Sequence, residues 1–482
     1  MNKSIVTILS VLLLSVNVFA QEEKTITLTE SEYQSILNRL DQLEQKAQKV
    51  DAYSGASTPK PADNDSVAEQ PQKKKKDYVH NRLTIGGYGE IAAKHCFYSN
   101  NYLRYVSPDL YKDQHFGEFD LPHFVLFLGY DFGKGWSMAT EIEFEHGGVE
   151  AAKEIEEKEG GSEIEQEIER GGEVALEQFW LQKKFNDYAI IRAGMQIVPV
   201  GALNANHESN KYFGVYRPEG EYTILPSTWH VVALTFMGKT PFGLHYQAMF
   251  LPGLDSDRFN NKNWIKPGAG SPYEFKLATV FAGAARIDYT GVKGLRLSLS
   301  GYCGNSFRNS LSNKINGDQF KGVTGTVTVG SFDFAYDDYN VIIRGNATYG
   351  HLGNSQEITQ YNSTGQISSK TRVASDAIAV GAELGYDFFS LSNSLHNNGH
   401  KFYLFGRYDW YDAMLMYNST PSTKDAWCGR QRFACGINYY PIKQVGIKAE
   451  YSYSILKKGV NITYNDEPTI AIGIVYAGMF NF

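Results

Sequence analysis

The stretch Lys443-Gln444-Val445-Gly446-Ile447-Lys448-Ala449-Glu450-Tyr451-Ser452-Tyr453 alternates apolar and polar residues almost without interruption. Side chains of an extended chain point alternately to opposite faces. Val445, Ile447, Ala449, Tyr451 and Tyr453 therefore share one face, and Gln444, Lys448, Glu450 and Ser452 share the other. The end of the chain repeats the pattern, with Ile470, Ile472, Ile474, Tyr476, Phe480 and Phe482 on a single face. A strand with one apolar and one charged face suits a barrel wall set between hydrocarbon and a polar interior.

Working outward from these two stretches, sixteen segments of roughly ten residues with the same alternation can be marked. They lie near 82–93, 121–132, 136–146, 174–185, 187–196, 230–239, 242–251, 276–289, 293–303, 323–336, 339–350, 375–388, 400–412, 428–440, 443–455 and 468–481. Each is long enough to cross a bilayer as a tilted strand. Their connections alternate in length. Asp131-Phe132-Gly133-Lys134-Gly135, Asn186-Asp187, Gly238 to Pro241, Thr290-Gly291, Asp337-Asp338 and Pro441-Ile442 are short, and 389–399 is longer than its position requires. The intervening connections, near 94–120, 147–173, 197–229, 252–275, 304–322, 351–374, 413–427 and 456–467, are long. Short turns at one rim and long loops at the other, with an even strand count, predict a 16-stranded antiparallel transmembrane β-barrel over 82–482, an all-β fold.

Composition agrees. Mean hydropathy is −0.35, yet aromatics make up 14% of residues, with 32 Tyr and 28 Phe. A barrel needs apolar residues only at alternate positions, because its backbone groups are satisfied between strands. Net charge is −7, which gives no reason to expect nucleic-acid binding. Cys96, Cys303, Cys428 and Cys435 match no metal-binding spacing and read as structural.

The N-terminal region reads differently. Lys3, the apolar run Ile5 to Leu14 and the small-residue site Val18-Phe19-Ala20 have the parts of a secretory signal over 1–20. Thr29-Glu30-Ser31-Glu32 is a capping box. Tyr33, Ile36, Leu40, Leu43, Ala47 and Val50 then step as a heptad seam, predicting a short periplasmic helix within 21–50, alone or as a coiled coil that helps a homotrimer assemble. Residues 51–81, with Pro59, Pro61 and the run Lys73 to Lys76, read as a disordered linker.

Parity sorts charges onto the inner face. Arg192, Arg286, Arg296, Arg344, Arg407, Arg430, Arg432 and Lys448 point inward, as do Glu141, Glu143 and Glu145. Two readings stay open: an arginine-rich wall that gives anions a path, faced by an acidic patch, or an ordinary charge-balanced lining. The loop near 197–229 sets His207, Glu208, Arg217, Glu219 and Glu221 among Ile224, Leu225 and Trp229. Apolar anchors beside charges predict a loop folded into the barrel, where these charges set the polarity of the opening or pin the loop to the wall. His207-Glu208 offers two adjacent ligands without a third, so no metal is expected. The glutamate-rich 147–173 lacks the ordered spacing of a calcium loop. With no catalytic triad pattern, phosphate-cradling glycine loop or zinc signature, neither an enzyme nor a cofactor is expected.

Several motifs carry a resemblance. They are Leu83-Thr84-Ile85-Gly86-Gly87-Tyr88-Gly89-Glu90, Ile191-Arg192-Ala193-Gly194-Met195-Gln196 leading to Pro199-Val200-Gly201, Arg217-Pro218-Glu219-Gly220-Glu221, and Leu225-Pro226-Ser227-Thr228-Trp229. Together they resemble the phosphate-selective porin O and P family in the form common in Bacteroidetes, over roughly 83–482. The resemblance implies sixteen-stranded trimers with an inward-folded third loop, and a ladder of arginines and lysines in the phosphate-selective members. Glu208, Glu219 and Glu221 depart from a purely cationic opening. The expected function is passive diffusion of small hydrophilic solutes across the outer membrane, with an anion preference of the phosphate type. The expected surroundings are outer-membrane lipid and lipopolysaccharide. The competing expectation is a structural or interaction protein that anchors the envelope or binds partners through its loops and N-terminal helix. An energy-coupled transporter would need a larger barrel with an N-terminal plug.

Overall fold

The structure, a computed structural model, describes residues 82–147, 154–157, 164–167, 173–270, 275–310, 313–364, 371–417 and 425–481. The expected signal segment, N-terminal helix and linker, most of the glutamate-rich segment and Phe482 lie outside the described residues. Sixteen antiparallel strands close into a barrel in which each pairs with its chain neighbours and the first pairs with the last. They are β1 (Leu83–Cys96), β2 (Phe116–Gly133), β3 (Trp136–Glu145), β4 (Glu173–Lys184), β5 (Ile190–Ile197), β6 (His230–Lys239), β7 (Leu244–Pro252) and β8 (Phe281–Val292). The second half comprises β9 (Leu295–Gly304), β10 (Val327–Asp338), β11 (Val341–Leu352), β12 (Asp376–Asp387), β13 (Lys401–Met416), β14 (Gly429–Ile442), β15 (Val445–Leu456) and β16 (Glu467–Asn481). A further antiparallel ladder pairs Glu154–Glu157 with Ile164–Glu167.

Burial follows parity. Along β15 the even-numbered positions from Gly446 to Leu456 are buried, while Ile447, Tyr451 and Ile455 are exposed. Ile91, Leu299, Leu384, Ile472 and Ile474 continue this outward apolar band around the barrel. Trp136, Phe185, Tyr188, Phe242, Tyr339 and Phe388 add exposed aromatics at the short-turn rim. Water would not tolerate so wide an apolar surface, whereas hydrocarbon would.

Four of the expected turns shift along the chain. That expected at Gly238 to Pro241 falls at 240–243. The other three fall at Lys293-Gly294, Tyr339-Asn340 and Lys443-Gln444, not at Thr290-Gly291, Asp337-Asp338 and Pro441-Ile442. Tyr339 and Asn340 both have positive φ, 50° and 63°, the backbone of the two-residue hairpin turn that matches strand twist. In this hairpin strand pairing therefore continues until that turn is reached. The long turn 388–400 contains a 3-10 segment, Phe388–Leu391, and a short helix, Asn393–Asn397. Asp387 holds its two ends together, accepting from Phe389 N at 3.1 Å and Phe402 N at 2.9 Å.

The interior is not polar throughout. Toward the long-loop rim the inward positions include Ala282, Ala284, Tyr302, Val327, Val329, Ala377 and Ala379, all buried. They pack in one cluster with loop residues Val198, Ile224, Trp229, Phe259, Trp264, Phe307 and Tyr361. A soluble domain would place such a core between its layers. Here it lies inside the barrel, and folded loops fill it.

Candidate functional site

Loop 198–229 joins β5 to β6 and makes its contacts with inward-facing side chains of the wall. Several of the expected site residues meet there, while Arg192, Glu143 and Arg407 pair within the wall. Lys448 on β15 is fully buried, and its ammonium donates to the carbonyls of Ser209 (2.6 Å), Tyr212 (2.8 Å) and Gly214 (2.9 Å). An ammonium has three donors, and all three are used on the loop. Asn438 Nδ2 donates to Phe213 O at 3.0 Å, and Glu450 accepts from Val215 N at 3.0 Å. The Phe213 ring stacks on Phe405, with centroids 5.4 Å apart.

The basic residues of the wall are paired. Arg286 bridges Asp288 and Asp333, each at 2.9 Å, and donates to Gly201 O at 3.0 Å. Arg296 pairs with Asp333 at 3.1 Å and reaches Asn206 of the loop at 2.8 Å. Arg344 and Arg407 share Glu383, at 2.6 and 3.2 Å, and Arg407 also holds Asp409 at 2.6 Å. Arg432 pairs with Glu450 and, at 3.2 Å, with Glu219. Arg430 holds Glu467 at 2.5 Å. Arg192 differs. Its guanidinium lies 3.9 Å from the Trp180 ring centroid and donates to Gln182, with no carboxylate partner among the described residues. The geometry thus favours the charge-balanced lining over an arginine-rich wall.

Within the loop the five expected residues have separate places. Glu219 pins the loop: it also accepts from Tyr411 OH at 2.6 Å, and its carboxyl lies below its ordinary range, because the nearby Arg432 and Arg430 outweigh the opposing effect of burial. Glu221 is buried, and burial, together with Asp333, pushes its carboxyl up to about 8. Arg217 is buried with its three guanidinium nitrogens lacking hydrogen-bond partners among the described residues, so it does not line an open passage. Glu208 is half-buried. Gly201 has φ +87°, and a Cβ there would fall 1.6 Å from Glu221 Oε1, so the loop's first bend requires glycine.

The acidic side is organised by residues that parity alone overlooks. Glu143 Oε1 lies 2.8 Å from His123 Nδ1, and Glu145 lies 3.8 Å from the same nitrogen. Glu141 accepts from Gln178. Next to it a register shift between β3 and β4 turns both Glu177 and Gln178 inward, and Glu177 is fully buried. The sequence carries a trace of this bulge: apolar residues fall at Val174 and Leu176, then at Phe179 and Leu181, a step of three within a pattern of twos. His207 therefore meets Glu141 and Glu177, with Glu208 not among them. Glu90, Asp333 and Glu383 are further inward carboxylates, on β1, β10 and β12, which lie at inward positions of the same alternation.

Two cavities open beneath the loop on the short-turn side. One, of about 400 Å³, is bordered by Lys211, Glu221, Arg296, Arg344 and Glu383, and the other, of about 440 Å³, by Arg192, His207, His245, Gln247 and Arg286.

No protein-family model matches the chain. A protein of Aquifex aeolicus (strain VF5), described as uncharacterized, is 26% identical over 388 residues, 79% of this chain and 78% of its own. Among solved structures, the anion-selective porin from Comamonas acidovorans has a TM-score of 0.48 at 10% identity, covering 82% of this chain and 99% of its own. The outer membrane channel DcaP of Acinetobacter baumannii gives 0.45 at 11% identity, covering 82% and 97%. OmpF of Salmonella typhi gives 0.47 at 12% identity, covering 83% and 98%.

Proposed function

We propose that this protein is an outer-membrane channel for passive diffusion of small hydrophilic solutes, assembled as a homotrimer. The observation that carries the reading is the combination of an apolar exterior with a closed interior whose ion-paired wall holds loop 198–229 across it. Selectivity then comes from the size of the passage and the charges along it. Paired arginines support weak charge selectivity. The phosphate-type anion preference implied by the motif resemblance rests on Arg192, which borders the second cavity and has no carboxylate partner among the described residues. Reconstitution in planar bilayers tests the reading. Stepwise openings in multiples of three support it. Folded protein that never conducts overturns it.

A second reading has its own observation. The apolar cluster of Trp229, Phe259, Trp264, Phe307 and Tyr361 packs several loops together at the long-loop rim. A barrel closed there would serve as an anchor or a partner-binding surface, and absence of conductance would turn attention to it.

A further inference from the structure

We infer that Glu141, Glu177 and His207 form a binding site for a first-row divalent transition-metal ion such as Zn²⁺, one that ties loop 198–229 to the barrel wall. The inference does not depend on conduction. One ligand atom from each residue lies within 4.8 Å of the other two, a spacing that a central ion can span. The three come from different elements: Glu141 from β3, Glu177 from the β4 bulge and His207 from the loop.

The imidazole supplies the independent observation. His207 Nδ1 is 3.2 Å from the carbonyl oxygen of Asn204, which only accepts, so Nδ1 carries the proton. Asn204 is itself held, donating to Val200 O at 2.9 Å and accepting from Trp229 N at 3.0 Å. An imidazole oriented by a carbonyl at one nitrogen presents the other to a metal. Nε2 is buried and without a hydrogen-bond partner among the described residues, 3.5 Å from Glu177 Oε1. Both carboxylate oxygens of Glu177, fully buried, likewise have no hydrogen-bond partner among the described residues. A neutral imidazole would turn its lone pair on Glu177 beside a second carboxylate, an arrangement that is unfavourable unless a cation stands among them. Arg217 makes no hydrogen bond to them. The neighbouring group of His123, Glu143 and Glu145 differs, since His123 and Glu143 already satisfy each other at 2.8 Å. One imidazole with two carboxylates suits Zn²⁺ and its first-row neighbours, whereas Ca²⁺ and Mg²⁺ select all-oxygen sites.

The test uses the full chain, purified in detergent, stripped with a chelator and dialysed against Zn²⁺. The folded protein is expected to bind about one Zn²⁺ per chain. Affinity is expected to fall by about 10–100-fold or more in His207→Ala and in the isosteric Glu177→Gln. Glu143→Gln is expected to bind as the parent does. Co²⁺ is expected to give visible d–d bands in the parent that His207→Ala lacks. Retention of the heat-modifiable barrel band on gels shows which variants fold, and Glu177→Gln alone carries the test should His207→Ala fail to do so. No stoichiometric uptake, uptake unchanged in Glu177→Gln, or displacement of Zn²⁺ by equimolar Mg²⁺ would each overturn the inference.

Discussion

Lys448 shows how one inward residue acquires a structural task. Its three loop carbonyls match its three donors, and each charge-assisted bond is stronger than a neutral one. Lys448→Met keeps the stem and removes the donors, leaving three buried acceptors unmatched. Destabilisation of about 2–5 kcal/mol is expected, read from denaturant midpoints in detergent. Glu221 makes a pH-dependent contribution of opposite sense to a salt-bridged acid. Its folded-state value of about 8 lies above the ordinary 4.5, so the fold favours its protonated form. That contribution is fully present below pH 4.5 and is lost as pH rises through about 8. Parent protein should therefore lose stability relative to Glu221→Gln across this window, and a difference that stays constant from pH 4.5 to 8 would contradict the assignment.

At the scale of the element, each strand is a two-faced object, and its faces tolerate different changes. Ile447 points outward and Lys448 inward on the same strand. An arginine at Ile447 would meet the apolar band and is expected to cost about 2–4 kcal/mol if the position lies near the bilayer midplane. Refolding yield and denaturant midpoint in lipid vesicles check this, and a neutral outcome would place Ile447 away from hydrocarbon. Loop 198–229 behaves as a further element. It has no strand partner, and its shape is set by Gly201, the Lys448 carbonyl clamp, the Phe213 stack and the Glu219 ion pair.

The barrel combines two cavities bordered by charged residues at the short-turn side with an apolar cluster at the other. Trp264 is central to that cluster: it is fully buried, donates to Ala374 O at 3.1 Å and lies over Gly350, where any Cβ would clash with its ring. Trp264→Ala should cost about 3–5 kcal/mol through lost packing. Under the channel reading it should also raise single-channel conductance, because the loops that narrow the outer mouth lose their anchor. Arg192→Ala leaves the ion-paired wall intact, and the reversal potential under a salt gradient is expected to move toward cation preference. No shift would remove Arg192 as a determinant of selectivity.

Period-two alternation by itself determined the barrel, its sixteen strands and the inward direction of Arg286, Arg407 and Lys448, because side-chain direction in a strand is a local property of the backbone. Connection lengths likewise revealed which rim carries the loops. The turn positions near Lys293, Tyr339 and Lys443 were legible only to within a few residues; at Tyr339 pairing runs on until a backbone geometry that permits reversal is reached. What the inward residues touch was decided by tertiary structure alone. Glu383 serves two arginines from neighbouring strands, and Lys448 finds carbonyls more than two hundred residues away in the chain. Glu177 turned inward because one extra residue was inserted in the ladder, a shift that a strict parity count passes over. His207 met Glu141 and Glu177 only once loop and wall were brought together, because distance through space between charges is set by closure of the whole barrel and not by their spacing along the chain.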